Sequence, residues 1–194
     1  MRNFIIEQFY KQRSDFEKSC VEREQKYPLP DGVKCTEKIA YAADDKEHRL
    51  DVYRPESMKG KVLPIVINVH GGGLLLGNKE FNRGFCALLC KKGFLVYSME
   101  YRLVPDCKIF DQFRDVFSAM NFVKEHAVED GGDLSHVYMV GDSGGACLIT
   151  YTNAIQNNRK IAQAAGVRPS NLKVNALGSV SYTHLRAHET PEHL

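Results

Sequence analysis

The sequence predicts an α/β fold: a mostly parallel, doubly wound sheet with helices on both faces and one helix ahead of it. Three observations predict it. Apolar runs too continuous for half-exposed strands recur at "VLPIVINVH", "FLVYSMEYRL" and "HVYMVGDS", as strands covered on both faces require. Segments of helical period, "FNRGFCALLCKKG" and "FDQFRDVFSAMNFVKEHA", lie between them, and strand, helix, strand in succession builds a parallel sheet. Glycine-rich turns follow two of the strands, "GGG" at 71–73 and "GDSGG" at 141–145, at the strand ends where α/β proteins place their sites.

Each element has its own reason. Residues 2–27 repeat Ile5, Phe9, Phe16 and Cys20 at helical spacing with charges between them, an amphipathic helix. "YPLPDG" stops it, because two prolines and a glycine cannot continue a helix. "KIAYAADDKEHRLDVYRPE" reads as two short strands around a polar turn at Asp44, Asp45 and Lys46, the second strand alternating as a half-exposed one does. The helix over 110–127 places Phe110, Phe113, Phe117 and Met120 on one stripe. "GGACLITYTNAIQNN" starts a helix directly after the third buried strand, and "NLKVNALGS" reads as the opening of a fourth.

Composition narrows the function. The 194 residues suffice for one domain with a core, and 43% hydrophobic with 26% charged residues is ordinary for a globular protein. A formal net charge of +2 argues for neither nucleic acid nor an acidic membrane surface, and the longest apolar runs fall far short of a bilayer span. Six cysteines are scattered. Cys86 and Cys90, four apart on a helix, could share a metal, but no second close-spaced pair completes a zinc site, so buried thiols and no metal are expected. The opening residues are charged throughout, unlike a secretory signal, and free thiols then suggest a reducing cytoplasm. Oligomeric state is left open.

The chemistry centres on Ser143. A serine hydroxyl needs a base and an exposed position to act as a nucleophile. A strand turning sharply into a helix exposes it, and small residues must flank so tight a turn. Gly141 and Gly145 meet that need, and the N–H of Gly144 would point at a reacting oxygen from the helix's first turn. "VHGGG", His70 to Gly73, follows another buried strand. Glycines there let backbone N–H groups approach a tetrahedral oxyanion, and one lost donor costs about 3–4 kcal/mol of barrier.

"HGGG", "YRLVPD" and "GDSGGA", in this order, resemble the hormone-sensitive-lipase-like branch of the α/β-hydrolase fold over roughly residues 41–179. The resemblance implies a sheet of the α/β-hydrolase type, Ser143 as the nucleophile, and Gly72, Gly73 and Gly144 as oxyanion donors. His70, Gly71 and Asp142 would support them, and the first helix would be a cap over the acyl pocket. It implies hydrolysis of small or medium acyl esters through an acyl-enzyme, without cofactor, on a small-molecule ester substrate. Three departures bear on the pocket: Gly144 where the family often has alanine, Asp106 where it often has glutamate, and "CKIFDQFRD" in place of a proline-rich connection. A non-catalytic small-ligand binder of the same fold stays open as the alternative.

In this family an acid and then a histidine follow the serine. His70 belongs to the loop, His48 to a polar turn where it is expected solvated, His126 to a helix end, and His136 to the far end of the elbow strand. His184, His188 and His193 fall in the last fifteen residues. The run "VSYTHLRAHET", Val180 to Thr190, lacks any structural period and resembles one reading frame of a transposase-based sequencing adapter. Segments 1–30, 31–179 and 180–194 are therefore expected to be cap helix, incomplete hydrolase core and non-native tail. The acid and the histidine are expected beyond this chain, which alone is expected inactive.

Overall fold

The computed structural model describes residues 2–42 and 47–180. In chain order its elements are α1 (Arg2–Lys26), β1 (Val33–Ala40), β2 (Arg49–Pro55), β3 (Leu63–Val69), α2 (Arg83–Lys91), β4 (Leu95–Met99), α3 (Ile109–His126), β5 (Gly132–Asp142), α4 (Gly144–Asn157), α5 (Arg159–Ala165) and β6 (Ala176–Val180). The described strands form one sheet in the order β1-β2-β4-β3-β5-β6. β4, β3, β5 and β6 run parallel, and β1 and β2 are antiparallel additions at one edge. The mostly parallel sheet expected from the sequence is what forms.

Why β3 sits at the centre follows from its residues. Ile65, Ile67 and Val69 point to one face and pack with Phe113, Val116, Phe117 and Met120 of α3 and Leu148 and Ile149 of α4. Val66 points to the other and packs with Cys86 and Cys90 of α2, Tyr53 and Val96. A strand apolar on both sides is stable only between two helical layers, and each such side chain contributes about 1.5–3 kcal/mol on burial. The thiols of Cys86 and Cys90 are free and buried in that second layer.

Two elements differ from expectation. The first concerns α1, whose packed face runs through Phe9, Arg13, Phe16 and Cys20, while Ile5 is 48% exposed. The helix lies on loops that follow β3 and β4, and Arg13 donates there to the carbonyls of Leu75 (3.1 Å) and Val104 (2.9 Å). Phe16 meets Phe81 at 5.0 Å between ring centroids. A helix resting on bare carbonyls needs a donor on its inner face, and so an arginine takes an apolar position. In α3, Phe113, Phe117 and Met120 are buried but Phe110, in the first turn, is 43% exposed and touches Phe113 edge-on.

The turn at 43–46 and the segment 181–194 lie outside the described residues. Val180 does not: it ends β6, opposite Asp142 in the sheet. No helix among the described residues is long and apolar enough to cross a membrane.

Candidate active site

β5 ends at Asp142 and α4 begins at Gly144. One residue must therefore reverse the chain, and Ser143 does so at φ 47° and ψ −114°. That conformation costs about 1–3 kcal/mol for a residue with a Cβ. It is held by the Ser143 N–H donating to Val180 O at 2.8 Å and by Cys147 N–H donating to Ser143 O at 3.1 Å. Ser143 is exposed, and its hydroxyl has no partner among the described residues.

The flanking glycines are a packing requirement. A Cβ on Gly141 would stand 2.6 Å from the backbone of Gly145, and one on Gly145 would stand 2.1 Å from Val69 O. Helix propensity alone favours alanine over glycine at 145 by about 1 kcal/mol. Overpacking a closed site costs about 1–3 kcal/mol and here falls on backbone that cannot turn aside. Gly145→Ala is therefore expected to destabilise the protein despite its better helix former. Urea unfolding checks the sign, and a stabilised variant would show that the β3–α4 contact is loose.

The second part of the site is the loop after β3. Gly72, Gly73 and Leu74 all have positive φ, at 119°, 61° and 69°. The N–H groups of Gly72 and Gly73 meet no acceptor among the described residues. Gly144, first in α4, has no intrahelical acceptor for its own N–H. The two parts touch: the place a Cβ would take on Gly144 lies 3.0 Å from both Gly73 N and Leu74 N. An alanine there would press on the loop amides. Asp142 ties the parts together, its Oδ1 accepting from Gly71 N–H (3.0 Å) and from Asn82 Nδ2 (2.8 Å).

Beneath the loop His70 is fully buried. Its Nδ1 faces Gly71 O at 2.8 Å and its Nε2 faces Glu100 Oε1 at 3.0 Å. Its ring stacks on Tyr101 at 4.3 Å, and the Tyr101 hydroxyl donates to His70 O at 2.8 Å. Burial pushes that phenol up, which keeps it a donor. Both ring nitrogens of His70 are thus engaged below the loop, which suits support and not proton transfer at Ser143.

The other described histidines also lie elsewhere. His48 is not solvated as the sequence reading has it: its side chain is 12% exposed, and Nε2 meets Asp115 Oδ1 at 3.1 Å. The buried carboxylate of Asp115 on α3 draws the ring inward, where it packs on Tyr41. His126 rests on Phe122. His136 joins Asp133 and Ser135 in a surface trio with the three residue types of a catalytic triad. There the ring's Nδ1 serves both neighbours, at 2.6 Å from Asp133 Oδ2 and 3.0 Å from Ser135 Oγ, so one nitrogen would have to be both base and orienting donor. Hydrogen bonds from Ser135 and His136 hold the Asp133 carboxyl down to about 2. No described residue fills the role of base or acid for Ser143.

Three contributors escaped the sequence reading. They are Asn82, which donates to Asp142, Arg13, which donates to Leu75 O, and Gln112, which donates to Leu74 O. Spacing relative to the motifs carried no sign of their partners, which come from other elements.

The BD-FAE family model matches residues 50–182. The chain is 30% identical over 138 residues to a probable isoprenylcysteine alpha-carbonyl methylesterase of Arabidopsis thaliana, covering 71% of this chain and 29% of that protein. It is 32% identical over 120 residues to a 3-O-acetylpapaveroxine carboxylesterase of Papaver somniferum, covering 53% and 38%. The fold is similar to that of an esterase B from Lactobacillus rhamnosis inhibited by a tributyrin phosphonate, with a TM-score of 0.86 at 26% identity over 92% of this chain and 58% of that one.

Proposed function

Because the chain belongs to the BD-FAE family, among the hormone-sensitive-lipase-like α/β hydrolases, we propose that it carries the nucleophile and oxyanion half of a serine esterase. One observation carries the reading. An exposed serine stands on a strained one-residue turn beside a glycine loop whose amides are unspent.

In this reading Ser143 Oγ attacks the carbonyl carbon of a small or medium acyl ester and gives up its proton to a base. The developing oxyanion is held by the N–H groups of Gly72, Gly73 and Gly144, and donors fixed in advance lower the reorganisation cost of the step. The C–O bond then breaks, the alcohol leaves with the proton, and water cleaves the acyl-serine to release the acid. His70, Gly71 and Asp142 hold the loop against the elbow. Residues 31–180 are the hydrolase core in this reading, one residue more than the sequence predicts because Val180 closes β6 and accepts from Ser143 N–H, residues 1–30 a cap beside the acyl site, and the end of the chain a segment foreign to the core. No step calls on a metal or cofactor.

A p-nitrophenyl alkylphosphonate tests the assignment. Incubated with the protein translated from the complete gene, it should release one equivalent of p-nitrophenol and leave its phosphonyl group on Ser143 in the peptide mass spectrum. An adduct on another residue, or ester turnover with no adduct at Ser143, would overturn the reading.

A further inference from the structure

The loop's own hydrogen bonds do not explain its shape. Leu75 N–H and Leu76 N–H donate to Gly72 O, at 3.2 and 3.1 Å, and neither involves Leu74. Yet Leu74, a residue with a Cβ, is held at φ 69°, a region glycine enters freely and leucine does not. Its restraints come from outside the loop. Leu74 O accepts from Val104 N–H at 3.0 Å and from Gln112 Nε2 at 3.0 Å.

Gln112 is fully buried in the second turn of α3, beside the core residues Phe113 and Val116. Its amide donates to Leu74 O and, at 2.8 Å, to Arg102 O. Its Oε1 has no partner among the described residues. A buried amide with an unanswered acceptor is a cost to the fold, so the two donations are what its presence supplies. Arg13 of α1 donates from Nε to Leu75 O (3.1 Å) and from its NH2 nitrogen to Val104 O (2.9 Å). Successive carbonyls of the loop, Leu74 O and Leu75 O, are thus gripped from two helices.

Resting on the serine-esterase reading above, we infer that Gln112 is a positioning residue for the oxyanion loop, with Arg13 as its counterpart on the N-terminal helix. Neither side chain touches substrate in this scheme. The carbonyl of Leu74 belongs to the peptide plane next to that of its own N–H, and Gly73 N and Leu74 N are the loop atoms beside Gly144. Fixing the carbonyl fixes the amides that face the elbow. Donor geometry at a developing charge is steep, and a displacement on the order of 1 Å costs about a hundredfold in rate.

The test uses the protein translated from the complete gene, with p-nitrophenyl butyrate as substrate and an alkyl trifluoromethyl ketone as the tetrahedral-adduct probe. Gln112→Met keeps the side-chain volume and removes both donations. It is expected to lower kcat about tenfold to a hundredfold, to leave KM within about twofold, and to weaken ketone inhibition by the same factor as kcat. A merely structural role would lower the melting temperature without moving kcat and ketone affinity together. Arg13→Lys, which keeps the charge facing Asp106 but cannot reach both carbonyls, should show the same paired loss more weakly, and it decides the matter if Gln112→Met does not fold. Unchanged kcat and ketone affinity in the folded variants overturn the inference. Ser143→Ala in parallel separates the two claims: if it retains turnover, the esterase reading fails whatever Gln112 does, and the inference falls with it.

Discussion

Ser143→Ala is expected to lower p-nitrophenyl butyrate turnover by at least about 10⁴-fold while leaving the melting temperature nearly unchanged. The two halves of this prediction have separate causes. Nucleophilic serines that work with a base are lost as a unit, and their removal costs on the order of 10⁴–10⁶ in kcat. The stability half follows from the environment: the hydroxyl is exposed and has no described partner, so its removal leaves no buried group unsatisfied. Alanine also suffers the same backbone strain at φ 47° as serine does. A rate loss with unchanged folding would therefore report chemistry alone. The experiment belongs in the protein translated from the complete gene, because no described residue can take the serine's proton. In the 194-residue chain turnover near background is expected for both versions. Equal, substantial rates for wild type and variant would remove Ser143 from the mechanism.

What the sequence made legible follows a physical line. Strands buried on both faces write themselves as unbroken apolar runs, so β3, β4 and β5 could be read directly, and the glycine turns at their ends marked the candidate site. The elbow was readable because its steric demand falls on neighbours in sequence: Gly141 and Gly145 are close to Ser143 in both chain and space. The supports were not. Asp142 meets Gly71 and Asn82 across 71 and 60 residues, and Gln112 meets Leu74 across 38. Such contacts leave only a polar residue in an apolar stripe as their trace. His48 misled for the same reason, since the buried Asp115 that draws it in stands 67 residues away. Ile5 and Phe110 misled in the opposite sense: periodicity marks a face as apolar without saying how far along the helix that face is covered.

Lys79→Met is expected to destabilise the protein by about 3–5 kcal/mol, the cost of breaking a buried ion pair by removing one member. Lys79 is only 3% exposed at the start of the turn before α2, and its Nζ stands 3.1 Å from Oδ2 of Asp51 on β2, which is fully buried. Glu80 also contacts the ammonium. Methionine fills the space of the lysine stem, so the loss reports charge and not a cavity. Among the described residues Asp51 would keep only the N–H of Lys38, donated to Oδ1 at 2.8 Å where β1 is irregular. Asp51→Asn in the same background keeps that acceptor and removes the stranded charge, so the double variant should recover much of the loss. A coupling of about 1–3 kcal/mol is expected from the cycle. Acidity adds a second check. Burial already pushes the Asp51 carboxyl above its ordinary value, and the Lys79 charge that opposes this is absent in the variant. A carboxyl with a folded pKa above its unfolded one binds more protons when folded, so its penalty is present at high pH and fades as pH falls through the raised value. Lys79→Met should therefore lose less stability, relative to wild type, at pH 5 than at pH 8. Additive single variants, or a penalty that deepens on acidification, would mean that the two charges stabilise the fold independently and that the pair at β2 is incidental.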